Sequence, residues 1–420
     1  MKDLIESAIS MIAMRNRSLS DRAASTSLER SLHAIRTHLD MDVAFISEFS
    51  EGRRYFRYVS SEPDGPVQVG GSDPIEDSYC MRVIEGRLPE LIPDACINIE
   101  ALTLAATRAL PVGAHLSVPI RLSDGRVYGT FCCFSHAPDD SLTPRDLGMM
   151  RVFADIVADQ IETDLKSRDA AREAGARIDA AMVPGALHMV YQPIVHVAEQ
   201  RVVGFEALAR FKAEPVRPPD LWFAEAAGVG RSVELESLAI GLALQAFDQL
   251  PPEVYLSLNA SPQTILGADL RGLLAGRPLD RVVIEVTEHA AIDHYEDIAA
   301  VLGPLQDQGL RLAIDDAGAG YASLRHILNL APDIIKLDIS ITQGIDMQPS
   351  RRALAAALCS FASATGCKIV AEGVETPAEL KTLAELSITK AQGYFLGRPL
   401  PLEQALAQAF GAGLAPVPRP

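Results

Sequence analysis

The chain has 420 residues, 48% of them hydrophobic and 22% charged, so it is long enough for two domains with full cores. A formal net charge of −17 and the lack of any Lys/Arg run argue against nucleic-acid polymers and anionic membranes as partners. No apolar run approaches the roughly 20 residues of a membrane span, and residues 2–14 have the pattern of an amphipathic helix rather than a signal peptide. We therefore expect a cytoplasmic protein.

The cysteines lack the CxxC or Cys/His spacing that suits zinc, so reduced, mostly buried thiols are expected. Two of them are adjacent and should point to opposite faces of a strand. The six are Cys80, Cys96, Cys132, Cys133, Cys359 and Cys367.

Residues 1–165 have the pattern of an α+β domain. After a helical pattern at 22–39, a strand pair at 42–61 turns at residues 50–52, and a second hairpin at 115–135 turns at residues 123–125. A short helix is predicted from Ser78 to Gly86. Helices beside an antiparallel sheet are typical of a small sensory domain.

A long helix is predicted from about residue 143 to 182, with residues 166–187 as the linker between domains. Thr143 and Pro144 suit its start, and apolar residues recur at steps of three and four as far as Leu165. A helix of this length can couple two domains or form a dimer seam, and a plain linker explains the pattern equally well.

Residues 188–412 alternate between strand and helix patterns. The first two strand-like runs are joined by residues 196–200, too few for a parallel crossover, so they should form an antiparallel hairpin. Eight strands with one reversed predict a modified (β/α)₈ barrel of the TIM type. The runs are MVYQPIV, VVGFEAL, YLSLNA, VVIEVT, RLAIDD, IIKLDI, KIVAEG and QGYFLG.

Oxygen-bearing side chains follow the apolar part of five of these runs, at the strand ends where barrel enzymes place their sites. A buried carboxylate is costly unless it is paired or binds a metal. Six such residues predict a site for hard cations such as Mg²⁺ or Mn²⁺. They are Glu206, Asn259, Glu285, Asp315, Asp316 and Glu372.

Residues 188–410 resemble the EAL family of cyclic di-GMP phosphodiesterases. The shared motifs occur in family order, and the first domain resembles a GAF domain through residues 113–135. The motifs are Glu206-Ala207-Leu208, SLNASP at 257–262, IEVTE at 284–288, IDDAGAGYASL at 314–324, IKLD at 335–338, AEGVET at 371–376 and QGYFLGRP at 392–399.

The resemblance implies two metal ions, Mg²⁺ or Mn²⁺, in each barrel. One would be held by Glu206, Asn259, Glu285 and Asp315, and the other by Asp315, Asp316 and Glu372. The catalytic residues implied are Lys336, Glu372, Glu288 and Gln392. Lys336 would lie near the attacking water, although a salt bridge to a carboxylate would also explain it, and Glu288 would anchor the loop after Asp316.

The resemblance also implies substrate contacts from Gln192, Glu206, Leu208 and Arg210. A surface charge at the barrel rim is the other explanation for Arg210. Ala317 departs from the family, where Phe is common, and this concerns regulation more than metal binding.

The expected function is hydrolysis of cyclic di-GMP to linear pGpG, regulated by the GAF-like domain, in a homodimer formed through the EAL domain and the linker helix. A catalytically silent cyclic di-GMP receptor and a dimerising scaffold are the alternatives. The sequence does not identify a small-molecule ligand of the GAF-like domain. Cys80 is either a chromophore anchor or a packed thiol.

Overall fold

The computed structural model describes residues 28–286, 292, 294–318 and 321–411. The chain divides into two compact units between Ala170 and Ala171. The helix predicted at residues 2–14 and the predicted catalytic residue Glu288 lie outside the described residues. Within the described part of the chain, every helix is too short or too polar to serve as a membrane span.

The first unit contains one antiparallel sheet of six strands in the order β3-β2-β1-β6-β5-β4. The strands are β1 (Val43–Ser50), β2 (Arg53–Ser60), β3 (Ser72–Pro74), β4 (Leu91–Ile92), β5 (Ala114–Arg121) and β6 (Val127–Ser135). The helices are α1 (residues 28–38), α2 (Tyr79–Ile84), α3 (Ala105–Ala109) and α4 (Pro144–Met182).

Both predicted hairpin turns are present. Glu51 and Gly52 join β1 to β2 with φ values of 52° and 72°, the left-handed pair that matches the twist of a two-residue hairpin. The second hairpin, β5 to β6, turns through Gly125 at φ 84°.

Each face of this sheet has its own apolar core. Helices α1 and α4 cover one face through residues such as Leu32, Met150 and Ile161. Helix α2 and the segments around α3 cover the other. As predicted, neighbouring cysteines alternate: Cys133 belongs to the first core and Cys132 to the second.

Helix α4 has 39 residues and confirms the long helix predicted from the sequence. Its first half contributes to the core under the sheet. Its last turns belong to the second unit, where Ile178 and Ala181 pack with Trp222 and Leu235.

The second unit is a closed barrel of eight strands in the order β10-β11-β12-β13-β14-β7-β8-β9. The strands are β7 (Leu187–His196), β8 (Arg201–Phe211), β9 (Tyr255–Asn259), β10 (Val282–Val286), β11 (Arg311–Ala317), β12 (Ile334–Leu337), β13 (Lys368–Ala371) and β14 (Lys390–Ala391). Strand β7 is antiparallel to both of its neighbours, and all the other pairs are parallel. The predicted fold, with its single reversed strand, is confirmed.

Ten helices of the described chain surround or cap the barrel. They are α5 (Pro219–Gly228), α6 (Ser232–Leu244), α7 (Pro262–Gly267), α8 (Leu270–Leu273), α9 (Tyr295–Gln306), α10 (Tyr321–Leu330), α11 (Ile339–Thr342), α12 (Pro349–Thr365), α13 (Pro377–Glu385) and α14 (Leu402–Phe410).

The eighth strand lies earlier in the chain than predicted. QGYFLG was expected to form it, but β14 ends at Ala391 and Gly393 has a φ of 156°. A Cβ at Gly393 would lie 2.2 Å from backbone atoms of Val374, so the chain leaves the strand here in a conformation that only glycine fits.

Candidate active site

The period of two along a strand places the predicted site residues inside the barrel. An aliphatic layer that includes Val283, Ala313, Ile334 and Val370 fills the interior. Glu285, Asp315, Lys336 and Glu372 each follow one of these residues by two positions, so they point the same way one layer higher. Parallel strands then bring the four side chains to one mouth of the barrel.

Lys336 is the centre of this layer. Its Nζ lies 2.7 Å from Glu372 Oε1, 2.8 Å from Glu285 Oε2, 3.1 Å from Asp315 Oδ1 and 3.6 Å from Glu206 Oε2. The residue is only 1% exposed. The salt bridge that was the other explanation for Lys336 is therefore present. It involves four carboxylates, of which three lie on β8, β10 and β11 and the fourth, Glu372, follows β13 directly.

Amide side chains complete the layer around Glu206. Gln392 Nε2 donates to Glu206 Oε2 at 2.6 Å and to Gln192 Oε1 at 2.9 Å, and Asn259 Nδ2 donates to Glu206 Oε1 at 3.1 Å. Gln192 in turn donates to the carbonyl oxygen of Gly397 at 3.1 Å. The Oε1 atom of Gln392 is buried and has no hydrogen-bond partner among the described residues.

Burial raises the pKa of two of these carboxyl groups. It raises the pKa of Glu285 to about 8, with the charges of Glu206 and Asp315 adding to the effect and Lys336 opposing it. Burial and the neighbouring carboxylates also hold the pKa of Glu372 well above its usual range. The positive charge of Lys336 is therefore not enough to hold the pKa values of Glu285 and Glu372 at their ordinary level.

The pKa values of Glu206 and Lys336 shift in the directions expected for a strong ion pair. Burial works against the charged form of Glu206, but Lys336 and the hydrogen bonds from Gln392 and Asn259 lower its pKa overall. Burial likewise opposes the ammonium of Lys336, and the surrounding carboxylates still raise its pKa well above the ordinary value.

Asp315, Asp316 and Glu372 can hold a metal ion. One oxygen of each lies within 4.8 Å of the others, and oxygen donors are those that hard divalent cations prefer. The backbone of Asp316 is left-handed, with a φ of 54°, and its N–H donates to Asp315 Oδ1 at 3.0 Å. This conformation is uncommon outside Gly, Asn and Asp, and it sets the direction in which the Asp316 carboxylate points.

A cavity of about 520 Å³ is lined by two residues of the polar layer, Glu206 and Asn259, and by Leu208 and Arg210. Its volume is within the range of small-molecule sites. Arg210 does not reach the carboxylates: its Nη1 donates to the carbonyl oxygen of Ala209 at 2.8 Å. Arg210 and Leu208 therefore contribute to the cavity wall.

Two features of the site were missed in the sequence. Ser257 is buried, and its hydroxyl donates to Glu285 Oε1. It precedes Asn259 by two residues, so strand period alone could have placed it inside the barrel. Glu236 also lines the cavity and accepts from the N–H of Ser261 at 2.7 Å, a contact that depends on the packing of α6 and has no sequence signal.

A family model described as "EAL domain" matches residues 176–399, more than half of the chain. The chain belongs to the EAL family. A second model, described as "GAF domain", matches residues 24–161. The family predicted from the sequence motifs is confirmed.

Among curated relatives, the "Probable cyclic di-GMP phosphodiesterase PdeN" of Escherichia coli strain K12 is 30% identical over 54% of this chain and 46% of its own length. The "Cyclic di-GMP phosphodiesterase NbdA" of Pseudomonas aeruginosa is 31% identical over 51% of this chain and 29% of its own. This EAL protein spans about a third of the length of several of the curated relatives that it matches.

A solved structure described as "PaMucR Phosphodiesterase, c-di-GMP complex" is 27% identical to the EAL protein. The match covers 56% of this chain and all of that one, with a TM-score of 0.51. A second neighbour, described as "Structure of EAL Enzyme Bd1971 - cAMP and cyclic-di-GMP bound form", covers 88% of this chain at 16% identity and a TM-score of 0.54, which supports the fold alone.

Proposed function

We propose that the barrel hydrolyses cyclic di-GMP to linear pGpG in a reaction that requires two divalent cations, Mg²⁺ or Mn²⁺. The observation that carries the proposal is the contact of Lys336 with four carboxylates, one of which, Glu206, also lines the cavity. Similarity to two relatives named as cyclic di-GMP phosphodiesterases, and to a phosphodiesterase solved as a c-di-GMP complex, supports the substrate.

The balance of charge favours two cations. The four carboxylates in contact with Lys336 share this one ammonium. Fully ionised, they carry three negative charges more than Lys336 offsets, which exceeds the charge of one divalent ion, and Asp316 adds a further carboxylate oxygen near Asp315 and Glu372. We assign Glu206, Asn259, Glu285 and Asp315 to one ion, and Asp315, Asp316 and Glu372 to the other.

Bound cations would supply an activated water and neutralise charge that develops on the phosphate. The protein's own side chains position the attacking water and the substrate. Lys336 is a fixed donor within reach of the same oxygens, and we assign it to orienting the attacking water. Gln392, whose buried Oε1 has no hydrogen-bond partner in the described part of the chain, offers an acceptor next to Glu206, and the cavity lined by Glu206 and Arg210 would receive a guanine base.

The test is incubation of the full-length chain with cyclic di-GMP and Mg²⁺ or Mn²⁺, with products separated by chromatography. We expect pGpG to form, a chelator to stop it, and Asp315→Asn to reduce the rate by a factor of at least about 100 because a shared ligand is lost. Asp307→Asn, an exposed carboxylate after α9, is the matched control.

Tight binding without product would contradict the enzymatic proposal and favour a receptor. Undiminished turnover by Asp315→Asn would instead contradict the assignment of the metal ligands. The two outcomes are separate, because binding and product formation are measured on the same samples.

We also propose that the GAF domain regulates the barrel through α4. One continuous helix contributes Met150 to the core of the first unit and Ile178 to that of the second. Ala170→Pro, at an exposed position, should interrupt the helix and change the turnover rate, while Ala170→Ser should not. Equal rates for both variants would show that the barrel works independently of the helix.

A further inference from the structure

The sulfur atoms of two cysteines in the GAF domain are in direct contact. Cys80, on α2, and Cys132, on β6, are both fully buried, and their Sγ atoms are 3.1 Å apart. A disulfide bond measures about 2.05 Å, so closing the pair needs a movement of roughly 1 Å. Neither residue has a part in the proposed chemistry of the barrel.

A buried guanidinium contacts the first of these sulfur atoms. Arg54 Nη1 lies 2.9 Å from Cys80 Sγ, and the residue is 4% exposed. Its Nε also donates to Asp73 Oδ1 at 2.9 Å, and its Cζ lies 4.8 Å from the ring centre of Phe56. Arg54 is therefore held in place from several sides, with a cationic group directed at Cys80.

The surroundings favour a thiolate at Cys80 and a thiol at Cys132. Burial works against the Cys80 thiolate, but hydrogen bonding from Cys132 and the charge of Arg54 lower its pKa to about 6. Burial holds the pKa of Cys132 well above its usual range. A thiolate is the form of cysteine that attacks oxidants and disulfides.

Polar side chains also hold Cys132 against its partner. Its Sγ lies 3.0 Å from Ser117 Oγ and 3.2 Å from Thr130 Oγ1, both of which are buried in the same sheet. An ordinary packed cysteine needs no such polar contacts, because it behaves as a small apolar side chain.

The chain provides its own comparison in Cys133. It is as deeply buried as Cys132, but it faces the opposite core, and burial alone raises its pKa. Cys96 is exposed, which makes it the competing site for non-selective oxidation.

We propose that Cys80 and Cys132 form a peroxide-sensitive dithiol, a modification site that closes to a disulfide. The Cys80 thiolate attacks one oxygen of hydrogen peroxide, the O–O bond breaks, and the sulfur becomes a sulfenic acid as hydroxide leaves and takes up a proton. Cys132 then attacks that sulfur, the S–O bond breaks, and a second water leaves. Overall, two thiols and one peroxide give one disulfide and two waters.

Hydrogen peroxide suits this site because it is scarcely larger than water, whereas bulky disulfides have no access to fully buried sulfur atoms. Closure would join α2 to the central sheet and remove the anionic sulfur that Arg54 contacts. The proposal does not depend on the function of the barrel, because its readout is the state of the thiols.

The full-length chain, purified with a reductant that is then removed, is treated with a small excess of hydrogen peroxide. Thiols are counted after denaturation, and peptides are mapped by mass spectrometry. We expect the six free thiols to fall to four, with the loss of two hydrogens in one Cys80–Cys132 cross-link. Dithiothreitol added after denaturation, when both sulfur atoms are accessible, should restore six.

The variants separate the steps. Cys132→Ser should stop at a sulfenic acid on Cys80, which dimedone present in the denaturant traps as the chain unfolds, and Cys80→Ser should form no cross-link. Cys133→Ser should retain the cross-link, because its sulfur faces the other core. Six remaining thiols in the wild type, oxidation confined to Cys96, or a cross-link that excludes Cys132 would each overturn the proposal.

Discussion

Replacing Lys336 with Met tests the central contact of the candidate site. The change keeps an unbranched chain of similar length and removes the only ammonium that the described structure places within 3.6 Å of Glu206, Glu285, Asp315 and Glu372. It leaves those buried carboxylates facing one another without a counter-ion.

The expected loss of stability is large. Removing one partner of a buried ion pair costs about 3–5 kcal/mol. A folding unit of this size loses about 2–4 °C of melting temperature for each kcal/mol, so we expect a fall of roughly 6–20 °C.

The loss of stability in Lys336→Met should increase with pH. In the variant, burial and mutual repulsion keep the folded-state pKa values of Glu285 and Glu372 above those of the unfolded chain. The folded state then binds more protons, and its stability falls as pH rises. The deficit relative to wild type should be smaller at pH 5 than at pH 8.

The chain's single tryptophan gives a specific assay. Trp222 is fully buried in the second unit, so its fluorescence follows unfolding of that unit. Melting is recorded in chelator and then with Mg²⁺, which should restore more stability to Lys336→Met than to wild type. Lys381→Met, an exposed lysine on α13, is the control. Equal melting of Lys336→Met and wild type at pH 8 in chelator would refute the reasoning.

Three further substitutions have distinct expected results. Burial and nearby cations lower the pKa of Lys390 from 10.5 to about 8, so Lys390→Met should stabilise the barrel by about 1 kcal/mol at pH 7 after allowance for partial exposure. Denaturant titration should show this gain shrinking between pH 8 and 10.5, where the unfolded chain binds more protons than the folded one. Ser257→Ala removes a hydrogen bond to Glu285 and should weaken Mg²⁺ binding about 10-fold or more without unfolding the chain, as calorimetric titration would show. Gly393→Ala forces a Cβ to 2.2 Å from the backbone of Val374 and should lower the Trp222 melting temperature by several degrees; an unchanged value would contradict the close approach.

The fold was predictable wherever local pattern and chain length determine it. The four residues between β7 and β8 allow only a hairpin, and the apolar period along α4 predicts a helix without any tertiary information. The eighth strand was misplaced because QGYFLG is apolar enough for a strand. The strand ends at Ala391, and Gly393 approaches the backbone of Val374, a tertiary contact that no local pattern contains.

The site was predictable as a set of positions rather than as a set of contacts. Period two explains why Glu285, Asp315 and Lys336 face the interior, and the sequence shows this. The four-way pairing of Lys336 depends on barrel closure, and the contact between Arg54 and Cys80 depends on the packing of α2 against the sheet. Side chains far apart in sequence meet only through tertiary structure.

The excess of carboxylate over ammonium at the barrel mouth has a kinetic consequence. An anion that approaches without divalent cations meets a negative field, focused by the low-dielectric walls, that slows its approach to the site. Monovalent salt screens such a field over about 10 Å at 0.1 M and would speed the encounter, whereas occupied cation sites would offset the field at its source. The charge distribution therefore favours one order of binding, in which the cations bind first and an anionic ligand binds after them.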